Sequence, residues 1–222
     1  MKSIIVILLI AIMPVRTIAQ NQKQSPPPPP PPVERTDHLE PVDGIFNCYD
    51  FQFEYYSKVR KILFEKLTDS PELRFLVMPS FSPENVLDIE YDRKNDKYYL
   101  VYHICEKMIW YNNKWDKTNV FEYRKSINKE SVDILKALFK KAISQTRYSE
   151  SETMGLDGET YYFSYFEMGL RSGSVWSPPD GTKMDRLIKI GFKLITLMKN
   201  NDDPVILDKK LNQDISDLIN DL

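Results

Sequence analysis

The chain has 222 residues, 28% of them charged, and a formal net charge of −2. Its charges are mixed in sign and only mildly acidic in balance, which argues against nucleic-acid binding, because such binding needs a basic face. With 42% hydrophobic residues and only two cysteines, the chain is long enough to bury a core without a metal or many disulfides.

The N-terminus has the three parts of a secretory signal peptide. Lys2 precedes an apolar run, and Thr17 and Ala19 supply the small residues of a cleavage site. A membrane-spanning helix needs about 20 apolar residues, and a proline interrupts this run well before that length. We therefore expect cleavage of residues 1–20, not an uncleaved anchor. The product would be periplasmic or secreted, have no transmembrane segment, and carry a net charge of −4 because Lys2 and Arg16 are lost.

Seven consecutive prolines, Pro26 to Pro32, follow the predicted signal peptide. Each proline ring restricts φ and removes a backbone donor, so the run predicts a polyproline II rod of about 20 Å. We expect residues 21–45 to form a disordered proline-rich linker, and residues 46–222 to form a single folded domain. The rod is interpreted as a spacer, and a ligand for proline-binding modules is the alternative.

Periodicity predicts one helix and then four strands in the first half of the domain. The helix begins at Asp50, which can cap it, and ends near Leu67. The strands follow at 74–78, 85–92, 98–110 and 120–123. Leu87, Ile89 and Tyr91 alternate with acidic residues, which predicts that the second strand has one solvent-facing side. The third strand is apolar on both faces, and we expect it inside the sheet.

The second half of the domain begins with a helix over 129–146, for which Asn128 is a suitable N-cap. An aromatic strand at 160–167 follows. A turn over 169–173 then leads into a last strand that ends at Trp176.

Two helices complete the domain. Thr182 and Asp185 have the spacing of a capping box at the start of the third helix. Gly191 lies in the apolar stripe of that helix and predicts a close approach to a strand. The terminal helix carries Leu211 and Ile215 on its apolar face. Grouped strands with short connections predict an α+β fold, an antiparallel sheet of about five to six strands with helices packed mainly on one face.

Cys48 and Cys105 are the two cysteines. In an oxidising compartment such a pair predicts a disulfide, which for so long a loop would contribute about 4 kcal/mol in the chain-entropy model. The alternative is two small buried thiols.

The sequence lacks the patterns of metal sites and nucleophilic catalysis. His38 and His103 are the only histidines, and neither has a partner at zinc-site spacing. No Gly-x-Ser-x-Gly elbow and no glycine-rich phosphate loop occur. His103 and Cys105 share a strand face about 7 Å apart, too far for a direct hydrogen bond. We therefore predict no metal and no cofactor, and favour a non-enzymatic protein.

Paired carboxylates remain the enzymatic alternative. The candidates are Asp88, Glu90, Asp157, Glu159 and Glu167. A glycosidase would need two carboxyl groups about 5–9 Å apart across a cleft. A solvated strand face and an Asp-Gly turn explain most of these residues without catalysis. A carboxylate-dependent hydrolase acting on envelope glycans or peptides stays the second hypothesis, and a structural module tethered by the proline rod is a third.

The aromatic strand is the strongest binding feature. Tyr161 and Tyr165 share one face of it, while Tyr162 and Phe166 share the other. Helices on one side of a sheet cannot bury both faces, so we expect an exposed aromatic face unless long loops form a second layer. Exposed tyrosine and tryptophan side chains anchor interfaces. The candidate binding residues are Tyr161, Tyr162, Tyr165, Phe166 and Trp176. The leading hypothesis is a binding protein for another envelope or secreted macromolecule, with an inhibitor or immunity-type protein as one such role.

Three segments resemble small secreted proteins of Bacteroidota. They are FLVMPSFSPE at 75–84, LDGETYYF at 156–163 and WSPPDGT at 176–182. The Ala19-Gln20 end of the predicted signal peptide is similar to theirs as well. The resemblance implies an exported bacterial protein. It implies no particular activity, because the shared motifs form turns and helix caps.

Overall fold

The computed structural model describes residues 37–42, 44, 48–110, 112, 115–149, 157–200 and 203–222. The predicted signal peptide and the run Pro26 to Pro32 lie outside the described residues. The elements are α1 (Asp50–Leu63), β1 (Leu73–Pro79), β2 (Asn85–Asp92), β3 (Lys97–Cys105), a 3₁₀ turn (Trp115–Lys117), β4 (Val120–Ile127), α2 (Lys129–Ser144), β5 (Glu159–Phe166), β6 (Leu170–Trp176), α3 (Lys183–Lys199) and α4 (Lys209–Asp221). Helices and strands follow one another in the predicted order.

The six strands form one antiparallel sheet in the order β4-β3-β2-β1-β5-β6. β3 lies inside the sheet between β2 and β4, as its two apolar faces predict. β1 pairs with both β2 and β5 and so joins the two halves of the chain. The predicted α+β fold with an antiparallel sheet is confirmed.

Three helices, α2, α3 and α4, pack on one face of the sheet, which we call the helix face. The main core lies between them and the sheet, and fully buried members include Phe75, Leu100, Leu135, Phe163, Leu187 and Ile215. Each side chain of this size contributes roughly 1.5–3 kcal/mol when buried. The helices therefore lie mainly on one face, as predicted.

The remaining helix, α1, packs on the opposite face of the sheet, which we call the second face. Val59 and Leu63 of α1 form a smaller core with Met78 of β1 and with neighbouring apolar side chains of β2 and β3. The predicted solvent-facing side of β2 is wrong, because Asp88 lies on this covered face and is fully buried. α1 also ends earlier than predicted, and the chain turns through Lys66 at a φ of 67°.

Residues 37–42 belong to the folded domain, which corrects the predicted linker. Leu39 is fully buried in the main core. Glu40 and Ser174 of β6 exchange two backbone hydrogen bonds, with N···O distances of 2.7 and 2.9 Å. The Asp37 carboxylate accepts two backbone N–H groups in the first turn of α3, both at 3.0 Å. A single apolar residue among polar ones has no periodicity, so the sequence pattern did not reveal this docking.

Three strand boundaries differ from the prediction. β3 ends at Cys105, five residues early, and β4 continues to Ile127, four residues late. The turn before β6 comes earlier than predicted, with Met168 and Gly169 both at positive φ. These differences lie at the ends of strands, where the hydrophobic pattern of the sequence is weakest.

Gly191 makes the predicted close approach. A Cβ atom at this position would lie 2.5 Å from Cε1 of Phe75 on β1. That ring is itself held in place, since it stacks on Phe163 with a centroid separation of 5.0 Å. The helix can lie this close to the sheet only because the residue has no side chain.

Gly191→Val is expected to lower the free energy of unfolding by about 2–3 kcal/mol, because it overpacks a filled core. Thr196→Val, at an exposed position of the same helix, is the matched control and should change stability little. Combining Gly191→Val with Phe75→Leu should cost less than the sum of the single changes, as measured by urea unfolding. If the loss of stability in the double variant equalled the sum of the two single losses, the close contact between residues 191 and 75 would be contradicted.

Candidate functional site

The second face has two adjoining hollows beside α1. The first, which we call the aromatic hollow, has a volume of 350 Å³ and lies at the N-terminal end of α1. The second, the side groove, has a volume of 460 Å³ and runs along α1 toward residues 40–42. Both are lined by Tyr56, Met78, Thr160 and Tyr162. The two hollows therefore adjoin each other, and we call them together the cleft.

Six aromatic side chains line the described part of the aromatic hollow. They are Phe51, Tyr55, Tyr56, Trp110, Tyr162 and Trp176. Trp110 meets Tyr55 and Phe51 edge to face, at centroid separations of 4.6 and 6.1 Å. Phe51 and Trp110 are 57% and 45% exposed. Large aromatic rings that are held in place yet open to solvent are typical of binding surfaces.

The buried carboxylate of Glu84 holds α1 to the loop that carries Trp110. Tyr55 donates its hydroxyl hydrogen to Glu84 Oε1 at 2.7 Å. The backbone N–H of Ile109 donates to both carboxylate oxygens, at 2.9 and 3.1 Å. Burial and the neighbouring Glu84 raise the pKa of Tyr55 above its ordinary value, so the phenol stays a donor. Glu84 thus fixes Tyr55 and Trp110 relative to each other.

Gly158, the residue before β5, supports the other side of the hollow. A Cβ atom at Gly158 would lie 2.4 Å from the indole Nε1 of Trp176, so the ring packs directly on the backbone. Ser80 accepts a hydrogen bond from the Gly158 N–H at 3.2 Å and donates its hydroxyl to the Gly158 carbonyl at 2.6 Å. These contacts set the position of Trp176.

The predicted binding residues are divided between the two faces of the sheet. Tyr161 and Tyr165 point into the main core and are 8% and 4% exposed. Tyr162 and Trp176 line the aromatic hollow, whereas Phe166 is exposed at the far end of β5. The structure therefore brings two of the five together and corrects the expectation that Tyr161 and Tyr165 could form an exposed face.

Sequence reasoning missed the contribution of α1 and of the loop after β3. Phe51, Tyr55, Tyr56 and Trp110 are absent from the predicted binding residues. A usable signal was present, because residues 49–56 contain more aromatic side chains than one core-facing stripe can hold.

The candidate carboxylates are not brought together. Three of them form ion pairs: Asp88 with Arg74, Glu90 with Arg124 and Glu167 with Lys140. Glu159 accepts a hydrogen bond from Tyr161 on the helix face. Of the five, only Asp157 lines the cleft in the part of the chain that the structure describes. The carboxylate hydrolase hypothesis therefore gains no geometric support.

Cys105 is buried and Cys48 is half-buried, and the disulfide between them stays a prediction. Burial, with the nearby Glu84 as a second cause, raises the pKa of Cys105 to about 12. His103 is buried, with its Nδ1 2.9 Å from the Leu63 carbonyl oxygen. Within the described ranges, no three potential ligand side chains are grouped to hold a metal ion.

No helix in the described part of the chain combines the length and the apolar character needed to cross a membrane.

No protein-family model, curated protein or solved structure matches this chain. The resemblance to small secreted proteins of Bacteroidota accordingly stays a prediction.

Proposed function

We propose that this protein is exported to the cell envelope and binds an envelope or secreted macromolecule in the aromatic hollow, without catalysing a reaction on it. The observation that carries the proposal is the group of six aromatic side chains in one open hollow. Export is supported by the signal-peptide pattern of residues 1–20.

The hollow is built for binding more than for stability. A helix N-terminus that served only the core would turn its aromatic residues inward, as α1 does further on with Val59 and Leu63. Phe51 and Trp110 instead remain about half exposed while contacting each other. Keeping large rings ordered at the surface loses part of the free energy of their burial, and a ligand that covers them would recover it.

The proposal is tested with isolated cell envelopes as the probe. We expect the exported protein, which has lost residues 1–20, to cosediment with them. Phe51→Ala combined with Trp110→Ala should weaken retention about 10- to 100-fold, since truncating two central aromatic anchors removes more than 1 kcal/mol each. Both side chains are largely exposed, so the variant should keep its fold, which urea unfolding would check.

Phe53→Ala is the matched control. Phe53 is 49% exposed on the same helix but does not line the hollow. Its removal should leave retention unchanged. Equal retention of the hollow variant and the control, or no retention of the unchanged protein, would contradict the proposal.

A further inference from the structure

We infer that the ligand of the aromatic hollow is a neutral glycan, which deepens the proposed function and rests on it. The inference comes from three properties of the described lining: its flat rings, its single charged side chain, which is acidic, and the full pairing of the strands beneath it.

The rings and polar groups suit a pyranose. A sugar ring presents C–H groups on its two faces and hydroxyl groups around its edge. The ring of Trp110, which is 45% exposed and held at 88° to the ring of Tyr55, can cover one C–H face. The Thr160 hydroxyl and the Gln52 amide lie in the same lining and can hydrogen-bond edge hydroxyls.

The charge of the hollow disfavours ionic ligands. Asp157 is the single formally charged side chain among its described lining residues. The Asp157 carboxylate, which is exposed, repels phosphates, uronic acids and nucleic acids that approach the hollow. An uncharged polymer meets no such penalty.

The strands beneath the hollow exclude one common mode of peptide binding. In this mode an extended peptide is recognised by adding a strand to an open sheet edge. The floor of the hollow comes from β1 and β5, and each of these strands is hydrogen-bonded on both sides. β1 pairs with β2 and β5, and β5 pairs with β1 and β6. Their backbone groups are therefore already used. A glycan needs no such edge.

The dimensions suit a short oligomer. The aromatic hollow, at 350 Å³, is within the usual range for a small-ligand site of about 300–1,000 Å³. The side groove continues from it along α1 for a further 460 Å³. A chain of sugars anchored in the aromatic hollow could thus extend along α1.

The test is calorimetric titration of the full-length protein with three probes: neutral β-linked glucose and N-acetylglucosamine oligomers, an oligouronate of the same length, and a set of extended peptides. We expect binding of a neutral oligomer, weak or no binding of the oligouronate, and no binding of peptides. Trp110→Ala should weaken the affinity for the neutral oligomer about 10-fold, and Phe53→Ala should leave it unchanged.

Asp157→Asn provides a test of the charge argument. It should leave the neutral oligomer unaffected and strengthen oligouronate binding about 3- to 10-fold, because the repelling carboxylate is replaced by a neutral amide. If Asp157→Asn left the preference for the neutral oligomer over the oligouronate unchanged, this part of the inference would be overturned.

The outcomes separate this inference from the proposed function. If no neutral oligomer binds while envelope retention still depends on Phe51 and Trp110, the glycan assignment is wrong and the binding function stands. Peptide binding that is lost on Trp110→Ala would lead to the same conclusion. If neither envelope nor oligomer binding depends on the hollow, both are wrong.

Discussion

Replacing Arg74 by methionine is expected to lower the free energy of unfolding by about 3–5 kcal/mol at neutral pH. The guanidinium of Arg74 donates from Nε and Nη2 to the two oxygens of Asp88, at 2.8 and 2.6 Å. Both side chains are buried beneath α1. Without Arg74 the Asp88 carboxylate would be a buried charge with no counter-charge. The Arg74 guanidinium also lies over the Phe64 ring, 4.2 Å from its centroid, and methionine can pack on that ring without the charge.

The loss should depend on pH. Burial raises the pKa of Asp88 to about 6, and Arg74 opposes that rise. Removing Arg74 leaves the effect of burial and moves the folded-state pKa further above the unfolded value of about 3.9. A raised folded-state pKa gives a contribution that is present below the unfolded pKa and is lost as the pH rises through the folded one. The difference between variant and parent should therefore be smallest near pH ~4 and largest at neutral pH.

Urea unfolding over that pH range measures the difference directly. The matched control is Arg74→Met combined with Asp88→Leu, which removes both charges. This double variant should regain most of the lost stability, because an apolar pair can replace a buried ion pair. Its stability should also no longer fall through titration of residue 88 as the pH rises, because the Asp88 carboxyl group is gone. A double variant no more stable than Arg74→Met would contradict the interpretation.

Leu39→Ala is expected to lower the free energy of unfolding by about 2–4 kcal/mol, as for a leucine truncated in a filled core. Leu39 is fully buried and sits directly on Gly173, where a Cβ atom would come within 2.9 Å of the Leu39 Cβ. A residue in a disordered linker would tolerate the same change without effect. The result thus decides where the folded domain begins.

Val42→Ala is the control for this measurement. Val42 is three residues further along the same segment and 39% exposed. Its truncation should change stability by less than about 0.5 kcal/mol. If both variants unfold at the parent's urea midpoint, residues 37–42 do not contribute to the core.

Local signals in the sequence were sufficient for most helices and for the fold class. Asn128 caps α2 by accepting the Ser131 N–H at 2.7 Å, and Thr182 caps α3 by accepting the Asp185 N–H at 3.2 Å. The place of Gly191 in an apolar stripe predicted that the helix lies close to a strand. These features depend on residues within a turn or two of each other, so a pattern along the chain contains them.

The aromatic hollow could be predicted only in part. Alternation along β5 correctly separated Tyr161 from Tyr162, but it could not say which of the two faces the main core. That choice depends on where α2 and α3 pack, far away in the sequence. Asp88 shows the same limit, since its alternation with apolar residues is equally consistent with a solvated face and with a face covered by α1.

From the sequence alone came the identity and order of the elements, the caps of α2 and α3 and the antiparallel α+β class, because hydrophobic periodicity and short connections are local properties. The predicted cap of α1 was wrong, since Tyr49 and not Asp50 is its N-cap. Only the tertiary structure decided what covers each apolar face. It placed α1 over β2, buried Arg74 with Asp88, docked residues 37–42 on β6 and left the aromatic hollow open. The physical reason is that burial depends on contacts between residues distant in the chain, whereas periodicity reports only which side of an element is apolar.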